Sequence, residues 1–139
     1  MKTLCIDYGL KRVGLALCDP EGRMAFPLET IERTTRQKLF DDLADIIHKE
    51  SVQQVVIGLP LGLDGQETET TRMARNFAAS LTRRVNDAIG VTLVDERLSS
   101  AEAQDRLREA GVKATKMKSK LDSQAAVIIL ETWLRSRDA

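Results

Sequence analysis

One histidine and two cysteines, Cys5 and Cys18, are all that 139 residues offer in the way of soft ligands, and no C-x-x-C is present. A zinc site of thiolates and imidazoles is therefore unsupported, and any metal bound here would be held by oxygen. Net charge is missing as well, with 21 Lys and Arg against 21 Asp and Glu. Affinity for a polyanion must then come from local clusters rather than from the field of the whole molecule. No apolar run approaches the ~20 residues of a membrane span, and the N-terminus lacks the basic, apolar and small-residue order of a secretory signal. A cytoplasmic location is expected. Repeats, low-complexity tracts and linkers are absent too, so residues 1–139 are expected to form one domain, large enough to bury roughly two thirds of its unfolded surface.

What is present begins with Leu4-Cys5-Ile6, a strand apolar on both faces that runs into Asp7 and then Gly9. A carboxylate at the end of such a strand has little water around it, which is costly unless something pairs it. Val13 to Cys18 reads as the returning strand, with Asp19-Pro20-Glu21-Gly22 as a turn and a third strand near Met24 to Leu28. With the hairpin tip at Lys11-Arg12, Cys5 and Cys18 would face each other. A disulfide is compatible with that pairing, but small side chains buried in two strands read first as reduced core thiols.

From Thr35 the period changes. Leu39, Phe40, Leu43, Ile46 and Ile47 predict an amphipathic helix over Thr35 to Glu50, and Met73, Phe77, Leu81 and Val85 another over Thr70 to Ala88, stopped by Gly90. Between them lies the apolar strand Gln54 to Leu59, followed by the loop Pro60 to Gly65. Val91 to Val94 is a further apolar strand ending in Asp95 and Glu96. Ser99-x-x-Glu102 has capping-box spacing for a helix to about Ala110, with Gly111 as its stop. Gly111 to Lys120 carries Lys113, Lys116, Lys118 and Lys120 without periodicity and is expected to be a mobile basic loop. The last helix is expected from Leu121 to about Arg135, with Asp122 in its first turn on the apolar stripe of Ala126, Ile129 and Trp133.

These elements predict an α/β fold: a five-stranded mixed sheet, its first three strands antiparallel, strands four and five parallel to strand one, with flanking helices. Reactive groups in such a sheet collect beyond the carboxyl ends of the parallel strands. Asp7, Asp95 and Glu96 lie there, and Asp122 can reach the same rim. Clustered carboxylates repel unless a counter-charge is supplied, and Mg²⁺ or Mn²⁺ supplies it while activating water for attack on a phosphodiester. Lys11, Arg12, Lys113, Lys116, Lys118 and Lys120 would meet a nucleic-acid backbone. Competing readings exist for each part: an Asx-turn at Asp7, a helix-dipole role for Asp122, an ion pair of Glu96 with Arg97 or Arg106, a merely solvated lysine loop. All of them would have to hold at once.

Ile6-Asp7-Tyr8-Gly9-x-Lys11-Arg12-x-Gly14, Val56-Ile57-Gly58-Leu59-Pro60-Leu61 with Asp64-Gly65, Asp95-Glu96-Arg97-Leu98-Ser99 and Asp122-Ser123-x-Ala125-Ala126 together resemble the signature blocks of the YqgF/RuvX family. The resemblance implies a ribonuclease H-like fold and a metal-dependent nuclease with Asp7, Glu96 and Asp122 as metal-binding catalytic acids, Asp95 being an open neighbour. It implies a role at the 5′ end of pre-16S ribosomal RNA, and, through similarity to RuvC-type resolvases, four-way junction DNA as the alternative substrate. A monomer or homodimer is compatible with it. Unlike RuvC resolvases, the strand ending at Leu59-Pro60 carries no acid, so the second carboxylate must come from the next strand. Two other readings remain: a non-catalytic nucleic-acid-binding adaptor, and a phosphate-binding ATPase suggested by Asp7-x-Gly9-x-Lys11. The second of these normally needs two domains.

Overall fold

The computed structural model describes residues 1–62, 64–96 and 114–138, with the backbone alone for 114–122 and 138. Its strands are β1 (Thr3–Tyr8), β2 (Arg12–Cys18), β3 (Ala25–Pro27), β4 (Ile31–Glu32), β5 (Gln54–Leu59) and β6 (Gly90–Asp95). Its helices are α1 (Arg36–Lys49), α2 (Glu69–Arg84) and α3 (Ala114–Asp138). The sheet runs in the order β3-β2-β1-β5-β6, and β4 pairs with the far end of β2. β1 to β3 are antiparallel, while β5 and β6 run parallel to β1. This is the expected mixed sheet with one addition, the two-residue β4, whose Ile31 pairs with Val13. Two residues are too few to show a period.

Alternation along the strands divides the core in two. Leu4, Ile6, Val13, Leu15, Val55 and Ile57 face α1 and α2, meeting Leu39, Leu43, Phe77 and Leu81. Cys5, Ala16, Cys18 and Val56 face the other way, against Ala126, Ile129 and Leu130 of α3. Thr35 caps α1 by accepting from the Lys38 amide, and Thr68 and Thr71 cap α2 reciprocally. α2 ends earlier than its apolar stripe suggests. The Asn86 side chain and carbonyl take the amides of Ala88 and Ile89, turning the chain into β6. Gly90 therefore opens β6 instead of closing the helix.

Two further expectations are corrected. The hairpin register pairs Leu4 with Leu17 and Cys5 with Ala16, so the cysteines do not face each other. Both are buried free thiols, and the Cys18 Sγ accepts from the Thr3 amide. The turn closes earlier because Gly9 is set against the Arg12 carbonyl, 2.3 Å from where a Cβ would stand, a close approach that only glycine permits. The second correction concerns the basic loop: Ala114 to Lys120 are helical, the opening turns of α3. Alanine, lysine and methionine favour helix wherever no Gly or Pro interrupts, with or without an apolar stripe. Asp122 consequently lies more than two turns inside α3, which removes it from the helix N-terminus and from the dipole reading. Lys113, the segment predicted as a helix from Ser99 to Ala110, Arg97 and Arg106 lie outside the described residues. Among the described residues no helix is long and apolar enough to cross a membrane.

Candidate active site

Asp7 is the fifth residue of β1, paired with Gly14, and not the residue after the strand. Alternation puts it on the α3 face, two residues beyond the buried Cys5. Glu96 follows the last residue of β6, and its amide donates to the Leu59 carbonyl at 3.2 Å, so the β5–β6 ladder extends to hold it. Between these two strands runs β5, whose Gly58 also belongs to the α3 face. A Cβ at Gly58 would lie 2.0 Å from Glu96 Oε2 and 2.9 Å from Ile129 Cδ1. The Glu96 side chain thus crosses β5 toward β1 over the one position where the strand has no side chain.

The two carboxyl groups meet there by a side-chain hydrogen bond. Burial, the charge of Asp7, that hydrogen bond and, last, the charge of Asp95 together push Glu96 up to about 9. At neutral pH one proton accordingly sits between the pair. Burial also raises the Cys5 thiol, helped by the charges of Asp7 and Glu96, so the sulfur beneath the carboxylates stays protonated. Asp95 ends β6 on an exposed position opposite Leu59, on the alternate face from Glu96. It contributes charge from behind the sheet, not a ligand beside Asp7.

Whether a hard divalent cation suits this site is answered by the same observations. The donors are all oxygen, two carboxyls converge from separate strands, and Gly58 leaves the space over which they meet. A cation would replace the shared proton and remove the repulsion that holds Glu96 protonated. No group of three possible ligands occurs among the described residues. The expected third acid, Asp122, is placed by its backbone one heptad before Ile129, hence on nearly the same line of α3. Its side chain lies outside the described residues. Ser123 is described: its Oγ donates to the Leu28 carbonyl at 3.0 Å and meets Thr30 Oγ1 at 2.7 Å, fixing this turn of α3 to the β3–β4 segment.

Of the expected cations, Lys11 is exposed at the β1–β2 tip, and Arg12 is half-buried at the start of β2, opposite Glu32. Lys116, Lys118 and Lys120 lie in the helical backbone of α3, within its first two turns. Three contributors were not singled out from sequence. Arg33 donates to the Gly9 and Leu10 carbonyls at 3.2 and 3.3 Å and lies 4.8 Å over the Tyr8 ring, bracing the hairpin tip. Nothing in the sequence marks it. Ser123 stands in a signature block, but nothing in the sequence shows its contact with the Leu28 carbonyl. Gly58 was readable, since a glycine inside an otherwise apolar strand marks a close approach.

Residues 1–136 match the family model described as "RuvX: Holliday junction resolvase". A protein of Maridesulfovibrio salexigens, named as a candidate pre-16S rRNA nuclease, is 60% identical over 134 residues, covering 96% of this chain and 98% of that one. Among solved structures, Thermus thermophilus RuvC superposes with a TM-score of 0.60 at 16% identity, over 99% of this chain and 96% of that one. The Fowlpox virus resolvase, solved with its Holliday junction DNA, gives 0.62 at 10% identity over 99% of each chain. At such low identity the two structures speak for the fold alone, which is ribonuclease H-like, as expected.

Proposed function

The chain belongs to the RuvX family of Holliday junction resolvases and is a nuclease; on that premise we propose that it cleaves structured RNA, at the 5′ end of pre-16S ribosomal RNA, using Mg²⁺ or Mn²⁺ held by Asp7, Glu96 and Asp122. The observation that carries the reading is the half-buried Asp7–Glu96 carboxyl pair, brought from two strands to one point over Gly58. A protein gains no stability from crowding two acids in this way; a site that takes up a cation does. When bound, the cation supplies Lewis-acid charge that activates water and stabilises the leaving oxygen. The chain's own residues then have separate tasks. Glu96 and Asp7 give up their shared proton and orient the ligand oxygens, Gly58 admits Glu96, Ser123 fixes the turn of α3 that carries Asp122, and Lys11 meets a phosphate at the hairpin tip.

Four-way junction DNA is the alternative substrate, favoured by the description of the matching family model. The test is a side-by-side cleavage assay of precursor ribosomal RNA and a four-way DNA junction, each with Mg²⁺ and Mn²⁺. Asp7→Asn should abolish cleavage while preserving the fold and most binding. Retained cleavage by purified D7N sinks the assignment of Asp7, and no cleavage of either substrate by the wild type would leave a nucleic-acid-binding adaptor.

A further inference from the structure

At the same rim, on the side of the sheet facing α2, a cavity of about 180 Å³ is lined by Tyr8, Gly9, Leu10, Pro60, Thr70 and Met73. We propose that this cavity receives a single nucleobase of the substrate strand, next to the phosphate held at the carboxylates. The inference rests on the nuclease reading above. Three observations support it. Tyr8 directly follows Asp7 and Pro60 directly follows β5, so the cavity opens at the same rim of the sheet as Asp7, on its other face. The lining contains no carboxylate, while Lys11 stands exposed beside Leu10 and Arg33 braces the same tip. Finally, Leu10 is 61% exposed, a large apolar side chain held out at the cavity's mouth on a hairpin whose carbonyls Arg33 ties down.

Size and chemistry select the occupant. The volume is below the ~300 Å³ at which pockets begin to take drug-sized ligands, which suits one planar ring system and not a whole nucleotide. Its walls are apolar, and Thr70 Oγ1, 2.9 Å from Thr68 Oγ1, offers one polar atom to a base edge. Tyr8 cannot serve as an open stacking platform, because Phe77 is stacked on it at 4.3 Å and Arg33 lies over its ring. The base would instead slot between Leu10 and Met73, as single-stranded or unstacked bases do in apolar slots. The larger groove between α1 and the β3–β4 segment is lined by four carboxylates, Glu29, Glu32, Asp42 and Asp45, against two lysines, Lys38 and Lys49, and suits the same strand less well.

The experiment uses whichever of the two substrates above the wild type cleaves, with a single abasic nucleotide placed in turn at each position flanking the scissile phosphate. One position should slow wild-type cleavage on the order of tenfold, the size of one lost base contact. Met73→Phe, which fills the slot, and Leu10→Ser, an exposed change with little folding risk, should each slow the intact substrate by a similar factor. Both should be indifferent to the abasic position that the wild type senses. If both variants cleave intact substrate at the wild-type rate, or if no abasic position matters, the slot proposal is overturned while the nuclease reading stands. If the wild type cleaves neither substrate, both fall together.

Discussion

Replacing Gly58 by alanine tests the site with the smallest possible change. The added methyl would start 2.0 Å from Glu96 Oε2, and ordinary van der Waals contact begins near 3.4 Å, so the carboxylate must retreat by about 1.4 Å. Ile129 Cδ1, at 2.9 Å, closes one direction of escape. A ligand oxygen misplaced by about 1 Å can cost on the order of 100-fold in rate. Turnover of G58A should therefore fall about that far at saturating Mg²⁺ or Mn²⁺. Global stability should change by less than the rate does, because β5 gains a residue with less unfolded-state freedom while the Glu96 side chain and the terminal methyl of Ile129 give way. The assay is single-turnover cleavage beside thermal unfolding of the same preparation. A rescue arm sharpens it: Glu96→Asp in the G58A background shortens the side chain that collides and should recover part of the lost rate. Wild-type turnover by folded G58A would refute the claim that Glu96 must lie over Gly58.

Other outcomes follow from the same geometry. The Glu96 carboxyl is raised to about 9 from an ordinary 4.5, so the folded protein keeps a proton that the unfolded chain releases between those values. The stability it contributes is complete below the unfolded value and lost as pH rises through the folded one. Melting of metal-free protein in EDTA should thus fall as pH is raised from about 5 to about 9, by up to roughly 1.4 kcal/mol per unit. Glu96→Gln should flatten that slope, and millimolar Mg²⁺ should oppose it by taking the proton's place. Phe77→Ala removes the ring stacked between Tyr8 and Phe40 and should destabilise by about 3–5 kcal/mol in urea unfolding. Ser123→Ala leaves the Leu28 carbonyl without that donor and should cost about 1 kcal/mol, with a larger proportional loss in cleavage than in stability.

How much of this was legible from sequence depends on which signal each element carries. β1, β2, β5 and β6 announce themselves as short apolar runs, and α1 as a clean stripe whose Leu39, Phe40, Leu43 and Ile47 are buried as expected. The helical start of α3 was missed because Gly111 to Lys120 carry no apolar period, and helix propensity without a period is a weak signal. The hairpin register slipped by one step at the turn, since the pattern fixes the faces of β1 and β2 but not where the loop closes. Asp7 and Glu96 were found because each ends an apolar run, a place where charge is expensive. Arg33 and Ser123 act through backbone carbonyls distant in sequence, and such contacts leave no trace in local pattern.

Gly58 separates two acids that lie far apart along the chain, one near the first turn and one beyond the last strand. The site is therefore a late product of synthesis. While a ribosome is still extending the chain, Asp7 can already be paired in the first hairpin, but Glu96 has no rail until β6 docks on β5. The face beneath both stays bare until α3 covers it. The carboxyl pair is thus complete only once β6 has docked, and its face of the sheet is covered only when α3 packs against it.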